Sequence, residues 1–188
     1  MAVADEVVMA VATVWVAPVG TAFPATNASP GGSWFELGTA GNKNYDEPGV
    51  VVTNSQSIAS WKPAGGTAPR KVARTDEGML CELTVVDMTV EQYAKIINNA
   101  TVTTTAGPPA TKSFSLMQGI TVQQFAVLIR SIDAYGASLN QQFQINAGYN
   151  ASSPKLAFQK DKPVGIDVQL TGLDDGSGSP WTFVAQTA

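Results

Sequence analysis

Val50-Val-Val-Thr-Asn-Ser-Gln-Ser-Ile-Ala-Ser-Trp61 is the stretch on which the fold reading turns. In an extended backbone alternate side chains share a face, so Val51, Thr53, Ser55, Ser57, Ala59 and Trp61 fall on one side and Val50, Val52, Asn54, Gln56, Ile58 and Ser60 on the other. The ends are apolar and the middle is polar on both sides. β-Branched and hydroxyl side chains favour a strand, but a strand polar on both faces does not lie wholly inside one subunit's core. The segment is expected to leave the core and meet water or another chain.

Beyond it, residues 62–78 hold Pro63, Gly65, Gly66 and Pro69 and then a mixed group of charges: Lys62, Arg70, Lys71 and Arg74 against Asp76 and Glu77. Little here is able to bury itself, so the reading is a flexible arm or long hairpin tip, disordered in a free subunit and suited to a complementary protein surface. Met79 to Asp87 returns to strand, with Met79, Cys81, Leu83 and Val85 on one face and Leu80, Glu82, Thr84 and Val86 on the other. Cys81 stands in an apolar row with no basic neighbour and reads as a buried, inert thiol.

Thr89 to Asn98 is the one convincing helix. Thr89 can cap it, Gln92 stands at the capping-box position and Glu91 lies where the helix dipole favours an anion. Val90, Tyr93, Ala94 and Ile97 follow the i, i+3, i+4, i+7 spacing and are expected to form its buried stripe against a sheet. The rest of the chain alternates with period two between Gly, Pro and Asn clusters. Strands are expected at Val7 to Val16, Trp34 to Leu37, Ser113 to Met117, Ile120 to Ile132, Leu139 to Ala147, Pro163 to Thr171 and Pro180 to Ala185, with loops over Gly20 to Ser33 and Thr101 to Pro109. The expectation is a single, mainly β domain spanning residues 1–188, with residues 172–188 as a C-terminal strand or arm.

Composition narrows the chemistry. The 188 residues are 44% apolar and 14% charged, contain no histidine and one cysteine, and carry a net charge of −4. Histidine triads and most zinc sites are excluded, no intrachain disulfide can form, and the acidic balance argues against gripping phosphate backbones. The acidic flank Asp5-Glu6 before the apolar Val7 to Val19 is not that of a signal peptide, and that stretch is too short to span a bilayer. No nucleophile elbow, phosphate loop or dinucleotide fingerprint occurs. The pairs Asp46-Glu47 and Asp76-Glu77 read as solvated or interfacial carboxylates, and Asp174-Asp-Gly-Ser-Gly-Ser179 lacks the spacing of a calcium loop. No catalytic, cofactor-binding or metal-ligating residue is assigned, and the chain is not expected to be an enzyme.

The order of features resembles the tail tube proteins (major tail proteins) of long, non-contractile-tailed bacteriophages. The similarity lies in Ala17-Pro-Val-Gly-Thr-Ala22, Trp34-Phe-Glu-Leu-Gly-Thr39, Asn44-Tyr-Asp-Glu-Pro-Gly-Val50 and Arg74-Thr-Asp-Glu77, then Leu83-Thr-Val-Val-Asp87 running into the helix. It covers residues 1–100 well and the remainder through its strand pattern. The resemblance implies a β-sandwich or open barrel with one flanking helix, whose inner sheet joins a continuous barrel in a hexameric ring. Stacked rings would form the conduit for DNA ejection, in a virion tail assembled in the host cytoplasm. Partners implied are further copies of the chain, a tape measure protein inside the tube, and terminator and distal tail proteins at its ends, with DNA passing unbound and no membrane involved. Residues 62–78 match the family's inter-ring arm, and Asn54, Gln56 and Glu82 become candidates for lumen or interface. A DNA conduit gains from a polar or acidic wall, and ten of the fifteen acids lie in residues 1–94 with only five of the eleven bases. Another phage structural module, such as a capsid decoration protein or an Ig-like adhesin, is the alternative. A carboxylate-only enzyme would need two acids across a cleft, which nothing in the sequence marks.

Overall fold

The computed structural model describes residues 12–38, 45–132 and 140–186. The strands are β1 (Ala12–Pro18), β2 (Phe35–Leu37), β3 (Val51–Trp61), β4 (Lys71–Val85), β5 (Thr103–Thr105), β6 (Thr111–Ser113), β7 (Phe125–Ile132), β8 (Asn140–Asn150), β9 (Ile166–Gly172) and β10 (Trp181–Ala185), with helix α1 (Val90–Asn98) between β4 and β5. Residues 7–11, expected to open the first strand, lie outside the described residues.

One antiparallel sheet runs β2-β1-β7-β8-β9-β4-β3, with β10 also paired to β8, and β5 and β6 form a separate small hairpin. β8 changes partner along its length: Gln141 to Ile145 pair with β10, whereas Gly148 to Asn150 pair with β9. The β7–β8 register shifts between Phe125 and Val127, beside that change, and such a bulge bends a ladder. The sheet thereby folds over on itself. Val14, Val16, Val127, Ile129 and Ile145 from β1, β7 and β8 meet Cys81, Leu83, Val85, Ile166, Val168 and Leu170 from β4 and β9 in one apolar cluster.

Tyr45 ties the two ends of this folded sheet together. Its backbone bridges Val85 of β4, while its hydroxyl donates to the Leu37 carbonyl of β2 and accepts from the Val14 N–H of β1 at 3.2 Å. The strand alternation of the sequence appears here as two buried faces of β7. Phe125, Val127 and Ile129 enter the core, and Ala126, Leu128 and Arg130 are buried on the other side. Arg130 is held there under the loop before β2: its guanidinium donates to the carbonyls of Ala28 (2.6 Å) and Ala25 (3.0 Å) and to Gln142 Oε1 (2.8 Å). Gln142 reaches the Pro24 carbonyl at 3.2 Å and Asn140 the Thr26 carbonyl at 2.7 Å. The buried Arg130 guanidinium and Gln142 amide are thus paired, as their desolvation requires, whereas Asn140 Oδ1 in the same cluster is buried with no partner among the described residues.

The helix starts and stops where expected, but its contacts correct the sequence reading. Thr89 Oγ1 accepts from the Gln92 N–H at 3.2 Å, and Asn99 closes the end in the left-handed region at φ 53°. Gln92 does not complete a capping box. Its side chain is buried and turns to β2, donating to the Glu36 carbonyl at 3.0 Å and accepting from the Gly38 N–H at 3.2 Å. Of the expected stripe, Ala94 is buried, Tyr93 packs half-buried against the core, and Val90 and Ile97 are only partly covered. The isoleucine in the core is Ile96, at 3% exposure, not Ile97. A side chain that satisfies β2's backbone places Gln92, and therefore Ile96 one turn on, on the inward side.

Three strand expectations also change. Ser115 to Met117 form an exposed turn rather than part of a strand, residues 120–124 precede β7, and the loop expected over Thr101 to Pro109 includes β5. Residues 71–78 are not an unstructured arm: they are the first half of β4, laddered to β3.

Ile96→Asp is expected to cost about 3 kcal/mol or more, and Ile97→Asp about 1 kcal/mol, read as shifts in the urea unfolding midpoint. A larger cost at Ile97 than at Ile96 would return the stripe to the sequence reading. Burial pushes the Cys81 thiol up to about 12, aided by the charge of Glu82, and burial likewise pushes the Tyr45 phenol up to about 12. Both groups keep protons in the folded chain that the unfolded chain releases, so their contribution is complete below the ordinary thiol value of 9.0 and is lost as pH rises toward 12. Chemical denaturation at stepped pH should show stability falling across that window, and iodoacetamide should label Cys81 only in unfolded protein.

Candidate functional site: the exposed hairpin and the acidic sheet face

β3 leaves the sandwich and β4 returns to it, so that beyond the core the two form a two-stranded ribbon. Val52 lies opposite Cys81 on the core face, but from Ser55 outward every residue of β3 is exposed, as are Lys71 to Glu77 of β4. Threonine, serine, valine and isoleucine sustain the extended backbone without an apolar face to bury. At the tip the Gly66 N–H donates to the Pro63 carbonyl at 2.9 Å and the Arg70 N–H to the Trp61 carbonyl at 2.8 Å, closing the hairpin. A bulge falls between Ser57 and Ile58, where Thr75 Oγ1 donates to the Ser57 carbonyl at 3.3 Å.

The hairpin gathers the whole charged group singled out in the sequence. Lys62 and Arg70 flank the tip, Lys71 stands opposite Trp61, Arg74 opposite Ile58, Asp76 opposite Ser57 and Glu77 opposite Gln56. Arg74 and Glu77 form an ion pair at 2.5 Å. Both are more than half exposed, so the pair adds little stability and leaves the ribbon's charges available. Between them lie uncovered apolar side chains: Ile58 at 58%, Trp61 at 56% and Val72 at 70% exposure.

Asn54, Gln56 and Glu82 do not share a surface. Asn54 pairs with Met79 and Gln56 with Glu77, on the face that is core nearer the sandwich, whereas Glu82 pairs with Val51 and Gln169 on the opposite face. That opposite face is wet. Gln169 Nε2 donates to Glu82 Oε1 at 3.0 Å, and Thr84 Oγ1 to Asp167 Oδ1 at 2.9 Å. The turn at Pro48 and Gly49 and the segment holding Ser152, Ser153 and Lys155 border a cleft of about 570 Å³ over these carboxylates. The cleft offers hydrogen-bonding groups but no activated nucleophile. Among the described residues no group of three or more Cys, Asp or Glu is placed to hold a metal ion. Asp174 and Asp175 accept from the Gly176 and Ser177 N–H groups, each at 2.9 Å. These bonds close the loop as a turn, and the hydrogen bonds from Ser177 and Asn146 hold Asp175 below the usual carboxylate range.

Sequence reading placed Leu116, Met117, Ile120 and Val122 in strands, whereas all four are exposed in the segment before β7, because local alternation does not report whether a segment finds a strand partner or a core to cover it. It also missed the Arg130 staple, for which one signal existed: a lone cation inside the apolar run Phe125 to Ile132 needs buried partners. No protein-family model matches the chain, and no curated protein matches it in sequence.

Because the outer ribbon touches no core residue, replacing residues 57–76 by Asn-Gly should leave the urea midpoint within about 1 kcal/mol of the parent. A collapse of stability would make the ribbon part of the subunit's own fold.

Proposed function

We propose that the chain is a structural subunit of a phage tail tube, polymerising as stacked hexameric rings and serving as a DNA conduit without catalysis. The observation that carries this reading is the β3–β4 ribbon, which stands clear of the core with water on both sides and apolar side chains uncovered. A long free edge and exposed apolar groups are liabilities in a lone monomer and assets in an assembly that covers them. β3 lies at the edge of the sheet, and its inner part, Val51 to Gln56, is where another copy's strand would pair to continue a barrel.

The ribbon serves as the bridge to the next ring, through Lys62, Arg70, Lys71, Arg74, Asp76 and Glu77. The β4–β9 face with Glu82 and Asp167 is the better candidate for the lumen wall. Its carboxylates are exposed and hydrogen-bonded to neutral partners rather than to cations. A tape measure protein would occupy the tube before DNA, with terminator and distal tail proteins at its ends, in a virion tail assembled in the host cytoplasm.

Negative-stain microscopy of the purified protein should show rings or tubes roughly 100 Å across, the width given by about two dozen tilted strands ~4.8 Å apart with a covering layer. The variant with residues 57–76 replaced should give rings that do not stack. Full-length tubes from that variant would remove the ribbon as the bridge, and compact monomers from the parent at all concentrations would remove the reading itself.

A further inference from the structure

Between β6 and β7 the chain presents an apolar loop. Leu116 is 64% exposed, Met117 90%, Ile120 102% and Val122 58%. The loop is anchored at both ends. Phe114 meets Tyr93 edge-on at 5.5 Å, and Asn98 donates to the Thr121 carbonyl at 2.9 Å while accepting from the Gln123 N–H at 2.6 Å. Its turn is set by the Met117 N–H donating to Ser115 Oγ at 3.2 Å and by Gly119 in the left-handed region at φ 75°. Four apolar side chains are thus held out in water by a loop with its own internal order.

The same chain offers a groove of matching character. Where β3 and β10 face each other across the mouth of the sandwich, Val52, Met79, Phe143, Trp181 and Phe183 line an opening of about 280 Å³. Phe183 is 51% exposed and rests on Phe143 with ring centres 4.7 Å apart. Asn54 and Thr182 complete the lining, and none of these residues is charged. Residues 113–124 carry no charge either.

We propose that the Leu116–Ile120 loop of one copy seats in the β3–β10 groove of a second copy. The occupant follows from the chemistry of the loop and from what the chain itself displays. An uncharged loop has nothing to hold a phosphate backbone, and it lacks the cations and interfacial aromatics with which surface segments hold a bilayer. A neutral apolar groove accepts it without an unpaired charge on either side. Area points to a repeating contact. A patch of roughly 300–600 Å² falls short of the ~800 Å² per partner of a stable pair, so one such contact alone is weak. Donor and acceptor are built from different elements, so each copy both gives and receives, and the contact propagates head to tail until a ring closes. This rests on the self-assembly reading above and names the surfaces through which neighbouring subunits meet.

The test is oxidative cross-linking of a Met117→Cys/Thr182→Cys variant, since Cys81 is fully buried and does not compete. The expected result is a reducible ladder from the double variant, no cross-link from either single variant, and dimers only from the two single variants mixed. Met117→Asp/Ile120→Asp, at positions more than nine-tenths exposed or nearly so, should raise the concentration needed for assembly at least about tenfold with an unchanged melting curve. Rings or tubes under the microscope with no ladder would overturn the loop-in-groove contact and leave the tube reading standing. Monomers in sedimentation, with no ladder, would overturn both. Dimers from Met117→Cys alone would place loop against loop and overturn the groove, as would flotation of the parent with phosphatidylglycerol vesicles that Met117→Asp/Ile120→Asp abolishes.

Discussion

Two glycines make the folded-over sheet possible. Gly148 and Gly172 face each other at the first rung of the β8–β9 ladder, and a Cβ on Gly148 would sit 2.9 Å from the Thr171 carbonyl oxygen. A Cβ on Gly172 would come within 3.2 Å of the Trp181 ring and 3.4 Å of Ile145. Here the backbones of β8 and β9 approach closely while β10 departs, so β8 is able to serve one partner with its first half and another with its end. Glycine inside a strand normally weakens it, and close backbone approach is the circumstance that requires it. Everything that meets in the core, from Val14 on β1 to Leu170 on β9, depends on that corner.

The corner also determines what is left open. Because β10 and β9 leave β8 on diverging paths, the sandwich closes tightly around Cys81 and Ile166 but gapes between β3 and β10, where Phe143, Trp181 and Phe183 are reached by solvent. β3 has a partner on one side only, and beyond Gly78 it and β4 run past the core altogether. Tyr45 and Gln92 secure the opposite end, where hydrogen bonds to Val14, Glu36, Leu37 and Gly38 leave the short strand β2 with little free edge. Stability is therefore concentrated at the β1–β2 end and around Arg130, and unsatisfied surface at the β3–β10 end. That polarity supports the proposed assembling subunit, in which one part would fold alone and the other be completed by a neighbour.

Much of this was legible from residue pattern. Alternation marked β3, the second half of β4, and β8 to β10 because each has at least one face with a uniform environment. The helix was legible from its caps, Thr89 and Asn99, which depend on local backbone chemistry alone. Its inward face was not, because adjacent Ile96 and Ile97 fit two stripes equally well and the choice is made by a distant contact between Gln92 and β2. The charged hairpin was located but its returning half misread, since glycine and proline counts cannot report that Lys71 to Gly78 find strand partners in Ser55 to Trp61. Asn54, Gln56 and Glu82 were grouped by polarity, whereas faces of a sheet follow register, and register puts Glu82 on the other side. The exposed loop around Met117 was read as strand, because Ile120 and Val122 continue an alternation whose apolar side meets no core in the folded chain.

The acidic face gives the proposed conduit a physical basis independent of the ribbon. A wall that slides past DNA must present charge of the same sign and must not neutralise it locally. Glu82 and Asp167 meet this condition in an economical way: Gln169 and Thr84 satisfy one lone pair of each carboxylate while adding no positive charge. Cations at those positions would cancel the field and offer phosphates a foothold, releasing counterions at every contact. Lys155 borders the same cleft, and Arg74 and Lys71 stand farther out on the ribbon, so the basic groups are set at the margin of the face rather than on its rungs. Repeated around a ring, carboxylates at fixed height would make a band of negative potential, and within a narrow channel such a band is screened less than it is on an open surface. The same neutral pairing keeps the face wet, and a wet, unadhesive wall lets a duplex pass without being held.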